Sequence, residues 1–197
     1  MISDPILQWM LSAVFLGTGL VYVVRVARGR SLSGRVGDIL HVLMSAAMFA
    51  MVWEWGMALP IWPQAALFAL AAVWFLVVAL MPRVAAAMDH HHAHEPRWVW
   101  WYHVVMMGAM SWMLLAMLPP AGAGGEHMHH GGLELWNALI GLGFLVLLLA
   151  GTALFVANAL PAITSRTPAA VSERTASVVN VLMGAGMVVM IIPLAQA

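Results

Sequence analysis

The sequence predicts an all-α integral membrane protein, with six transmembrane helices forming three repeated helical hairpins in a single domain spanning 1–197. Three observations predict it. The chain is 63% hydrophobic and only 8% charged, a balance found in membrane proteins and not in soluble domains. Six apolar runs each supply the ~20 residues that a helix needs to cross a bilayer. Three of those runs share one pattern of a polar residue followed by methionines, so the chain is internally repeated.

The runs lie at about 5–26, 38–58, 62–82, 97–118, 134–158 and 173–194, which groups them as hairpins at about 5–58, 62–118 and 134–194. Each is continuously apolar and does not alternate, which argues against the strands of a membrane β-barrel. The first follows MISDP, which has no basic leader, and no small-residue cleavage site follows it. It is therefore expected to be a retained helix and not a signal peptide. The second carries HVLMSAAMFAM from His41 and closes near Glu54, the one acid expected inside a span. The third begins at Trp62, and the fourth carries HVVMMGAMSWM from His103. The fifth follows the Gly-rich segment Pro119–Gly132, and the sixth carries NVLMGAGMVVM from Asn180. Trp53, Trp55, Trp62, Trp98, Trp100, Trp101, Tyr102 and Trp136 fall near span ends, where aromatic rings anchor helices at the interface.

Arginine placement predicts orientation. All eight basic residues are arginine, and none lies between spans 2 and 3 or 4 and 5. Arg25, Arg28, Arg30 and Arg35 follow span 1, Arg83 and Arg97 lie between spans 3 and 4, and Arg166 and Arg174 between spans 5 and 6. The positive-inside rule assigns that side to the cytoplasm, leaving both termini outside the plasma membrane. The bilayer is then the first partner, and the zero net charge argues against nucleic acid. There is no cysteine, which removes disulfides and thiolate chemistry. No phosphate loop, dinucleotide fingerprint, serine triad signature or zinc-protease helix is present, and no catalytic role is expected.

The repeated stretch carries the candidate site. After His41, His103 or Asn180, methionine recurs at offsets three, seven and ten: Met44, Met48, Met51; Met106, Met110, Met113; Met183, Met187, Met190. Valine follows the polar residue each time, and small residues fill offsets five and six. A given frame matches three methionines by chance with probability roughly 0.0006, and two further matches in the chain have a probability of about 1%. At 100° per residue the four positions share an arc of roughly 80° and rise about 15 Å. Three such stripes packed about a pseudo-threefold axis would stack layers of thioethers under a polar layer of His41, His103 and Asn180.

Methionine is adaptable packing material, so a single stripe is more often core than ligand set. Leucine packs as well, however, and three registered stripes headed by buried polar groups ask for a further reason. Thioether is a soft, neutral ligand suited to Cu(I), and imidazole also binds copper. The expectation is therefore Cu(I) binding for transport or delivery, with a copper chaperone or larger membrane complex as partner. Three alternatives stand beside it. These are a haem-binding subunit using His41 and His103, a copper-dependent membrane enzyme, and a structural subunit of a larger complex. Two loop tracts are secondary metal candidates: His90, His91, His92 and His94 inside, and His127, Met128, His129 and His130 outside.

The MxxxM elements Met44/Met48, Met106/Met110 and Met183/Met187 resemble the selectivity filter of CTR-type copper transporters. Those are homotrimers with methionine triads along a threefold axis, and the resemblance implies copper permeation with one chain supplying all three copies. The His/Met-patterned six-span layout is also similar to an actinobacterial membrane family of unknown function, a likeness that implies no activity.

Overall fold

A computed structural model describes residues 4–28, 32–81, 97–118, 131–163 and 168–195. They form six long α-helices: α1 (Pro5–Arg28), α2 (Leu32–Val52), α3 (Ile61–Leu80), α4 (Arg97–Ala116), α5 (Gly131–Ile163) and α6 (Pro168–Ala195). All six are long and apolar enough to cross a membrane, and no strand occurs among the described residues. The chain is a multi-pass membrane protein.

Local chemistry sets several boundaries. Asp4 Oδ1 accepts the Ile6 amide at 2.8 Å and Pro5 takes the first helical position, a cap followed by a residue with no amide hydrogen to satisfy. The second span was expected to run to about residue 58. Instead α2 ends at Val52, and a 3₁₀ turn occupies Glu54–Ala58. There the Trp53 amide bonds the Ala50 carbonyl at 3.0 Å and the Gly56 amide bonds the Trp53 carbonyl at 3.0 Å. Any side chain at Gly56 would overlap the Ala50 carbonyl, so this tight turn requires glycine. Glu54 is consequently exposed outside α2 and is not an acid within a span.

Packing follows the hairpins. The main helix pairs are α1 with α2, α3 with α4, and α5 with α6. Between hairpins, α3 packs on α2, α5 on α4, and α1 on α6. The first helix of each hairpin thus meets the second helix of the preceding one, a cyclic relation repeated three times. The second helices are the inner ones. In each apolar window 44, 61 and 44% of α2, α4 and α6 is buried, against 28, 33 and 22% of α1, α3 and α5. Leu16 and Leu20 of α1, Leu70 and Val73 of α3, and Leu142 and Val146 of α5 face outward, as lipid-facing positions do.

Short polar bonds fasten the hairpins internally. Ser12 Oγ accepts Trp53 Nε1 at 3.0 Å, Thr18 and Ser45 hydroxyls lie 3.4 Å apart, and Ser111 donates to the Ala65 carbonyl at 3.0 Å. Inside lipid such groups stabilise by finding partners across helices, at about 0.6 kcal/mol each. The aromatic girdle is only partly as expected. Trp55, Trp62, Trp101 and Trp136 are exposed, whereas Trp100 and Tyr102 are buried because they face the neighbouring helices.

Candidate metal centre

Because the inner helices are α2, α4 and α6, the stripe they share points into the bundle. Met44, Met48, Met106, Met110, Met113, Met183 and Met187 are completely buried, and Met51 and Met190 nearly so. All nine belong to one contiguous core. Of the small residues, those at offset six (Ala47, Ala109 and Gly186) are buried, while Ala46 and Ala185 at offset five are exposed. Offset six therefore serves close packing in all three stripes, and at Gly186 the Phe15 ring lies 2.7 Å from where a Cβ would stand, while Gly108 at offset five is half-buried beside the Phe144 ring. Met107 is an eighth completely buried methionine, one that the repeat does not contain.

The polar residues heading the stripes are buried as well: His41, His103 and Asn180 are 3, 6 and 6% exposed. The two imidazoles meet edge to face, with ring centroids 4.7 Å apart and planes at 87°. Each ring is fixed by the helix that carries it. His41 Nδ1 lies 2.8 Å from the Gly37 carbonyl and His103 Nδ1 2.7 Å from the Val99 carbonyl, four residues back in both cases. A carbonyl only accepts, so Nδ1 of each ring holds a proton, and when the ring is neutral its lone pair sits on Nε2. That is the arrangement in which histidine offers Nε2 to a metal.

Aromatic rings from the outer helices hold these imidazoles in plane. Tyr22 of α1 stacks on His41 at 4.5 Å and 20°, and Phe75 of α3 stacks on His103 at 5.1 Å and 24°. In both hairpins the first helix supplies the supporting ring. In the third copy Asn180 replaces histidine, and its Oδ1 accepts the Tyr22 hydroxyl at 3.3 Å. Asp38, one turn before His41, is 8% exposed and bonds Arg25 Nε at 3.2 Å. The Arg25 guanidinium also lies 5.4 Å from the centre of the Tyr22 ring. Asp38 is thus a buried acid within a span, whereas Glu54 lies outside α2.

The structure brings together one end of the bundle in this way, with thioethers filling the inside beyond it. His90, His91, His92 and His94, and His127, Met128, His129 and His130, lie outside the described residues. Among the described residues no group of three or more His, Cys, Asp or Glu forms a metal site. Any ion held here would rest on two imidazoles and on thioethers. Tyr22, Phe75 and Asp38 were missed from sequence; only Asp38 left a local signal, its one-turn spacing from His41.

Residues 33–194 match the model of a family described as a domain of unknown function, DUF5134. Uncharacterized proteins of Mycobacterium tuberculosis (strain H37Rv) and Mycobacterium bovis are 29% identical over 123 residues, covering 60% of this chain and 53% of each relative. The chain spans about half the length of these curated relatives. No solved structure matches it. The likeness to CTR-type copper transporters finds no support in these matches.

Proposed function

The chain belongs to the DUF5134 family, and we propose that it binds Cu(I) within its transmembrane core, for transport of the ion or its delivery to a partner. One observation carries this reading. Seven completely buried thioethers share a core with two buried imidazoles whose Nε2 lone pairs are set by backbone bonds. Thioethers are neutral, so they hold a soft monovalent ion without trapping it, as passage between successive sites requires. An ion taken up near Met51, Met113 and Met190 would move along the methionines to His41 and His103. On the arginine pattern this histidine end faces the cytoplasm and both termini lie outside. A copper chaperone or larger complex is the partner of that end.

The imidazole spacing favours this reading over a bis-histidine haem. With metal–nitrogen bonds of about 2.0–2.1 Å, two rings trans across one metal have centroids roughly 6 Å apart, and rings at about a right angle roughly 4.5 Å. The observed 4.7 Å fits the bent arrangement, which leaves further positions for thioether ligands, and counts against a macrocycle between the rings. The complete burial of the methionines would serve packing alone equally well. Metal analysis separates the two. Protein purified under reducing conditions should retain copper in stoichiometric amounts and show no Soret band. Metal-free protein that fails to take up Cu(I) supplied as a soluble complex refutes the reading.

A further inference from the structure

Asn180 is the place where the threefold pattern is broken, and the structure gives that break a chemical meaning. The two other copies place an imidazole at the head of the stripe; this one places an amide whose oxygen already accepts the Tyr22 hydroxyl at 3.3 Å. Tyr22 also stacks on His41, so one residue both engages the Asn180 oxygen and fixes the adjacent imidazole. Resting on the Cu(I) reading above, we infer that Asn180 and Tyr22 set metal specificity, keeping the polar layer at two imidazoles and so rejecting divalent ions.

The physical reason is charge and ligand hardness. Bringing an ion into a low-dielectric interior costs free energy that rises with the square of its charge, so a divalent ion needs stronger donors than a monovalent one. Three histidines form a sufficient protein ligand set for Zn(II), whereas thioethers bind it poorly. A histidine in place of Asn180 would supply the missing third imidazole. The amide oxygen is a further donor acceptable to a hard ion, and the Tyr22 hydroxyl competes with an ion for it, as Arg25 does for the Asp38 carboxylate. Two imidazoles backed by neutral sulfur are left, a set that suits Cu(I).

The test uses full-length protein in which the loop histidines are changed to glutamine in every arm, so that metal uptake reports the bundle. Wild-type core, N180H, N180Q and Y22F are each loaded with Cu(I), and separately with Co(II) as a spectroscopic stand-in for Zn(II). The wild-type core and N180Q should take Cu(I) and lose Co(II) on desalting. N180H should retain stoichiometric Co(II), with ligand-field absorption characteristic of a low-symmetry site. Y22F, which frees the amide oxygen, should show Co(II) uptake that is weaker than in N180H yet above wild type. If N180H and Y22F, both folded by their unfolding temperatures, still reject Co(II) while wild type binds Cu(I), the specificity role is overturned and the Cu(I) reading stands. Should N180H fail to fold, Y22F alone decides. A wild-type core that binds no Cu(I) overturns both.

Discussion

Tyr102 is wedged between α5 and α6, and two glycines make the wedge possible. A Cβ at Gly184 would overlap the Tyr102 hydroxyl and stand 2.5 Å from Thr152 Oγ1, but the nearest ring carbon would be 3.4 Å away. At Gly151 a Cβ would instead overlap ring carbons Cδ2 and Cε2 of the same tyrosine. The two Gly→Ala substitutions therefore fail for different atoms. Each alone overpacks a tight interface and should cost about 1–3 kcal/mol. Tyr102→Phe alone removes the 3.0 Å bond to Thr152, worth about 0.6 kcal/mol between membrane helices. Combined with Gly184→Ala it also removes the overlapping atom and frees Thr152 to rotate, so the double variant should recover about 0.5–2 kcal/mol of the summed loss. Combined with Gly151→Ala it should recover nothing, because the obstructing carbons remain. Reversible unfolding of the two cycles in mixed micelles measures both couplings. Additivity at Gly184, or equal rescue at both glycines, would refute the described seating of Tyr102 and with it the packing that carries His103.

Further outcomes follow from the same geometry. Met110→Ala, in the completely buried part of α4, should cost about 2–5 kcal/mol in the same unfolding assay, while Trp62→Ala on the lipid-facing surface should stay within about 0.5 kcal/mol. Ser111→Ala removes the bond from α4 to the Ala65 carbonyl and should cost about 0.6 kcal/mol. Phe75→Leu removes no ligand but takes away the ring stacked on His103, and should weaken Cu(I) binding about 10–100-fold in competition with a chromogenic chelator. An unchanged affinity there would mean that the Phe75 ring does not position His103 for the ion.

Much of the fold was legible because lipid imposes long apolar helices, and the shared methionine offsets marked α2, α4 and α6 as one repeated type. A common face on three helices has to be buried somewhere, and the bundle interior is where it went. What stayed illegible were contacts between helices whose sequence separations differ. Tyr22 supports His41 from 19 residues upstream and Phe75 supports His103 from 28 upstream, so no single offset relates the two stacks. Hydropathy also misplaced the acid. Glu54 follows an apolar run and resembles its continuation, but the turn closed by Gly56 ends α2 two residues earlier. Asp38 sits at the start of the run, where only its pairing with Arg25 reveals that it is held inside. Trp100 and Tyr102 likewise look like interfacial residues until neighbouring helices cover them.

On the reading proposed above, the inner thioethers bind copper and do more than pack. Met44, Met106 and Met183 are completely buried at the same offset of the three repeats, one turn from the polar layer. Changing all three to Leu conserves volume and should cost under about 1.5 kcal/mol per site, leaving a folded protein with its His41–His103 pair intact. Copper stoichiometry of that variant, purified under reducing conditions beside wild type and checked for its unfolding temperature, is the direct measurement. The variant should fold and lose its copper; a folded variant with wild-type copper content would contradict a ligand role for these thioethers.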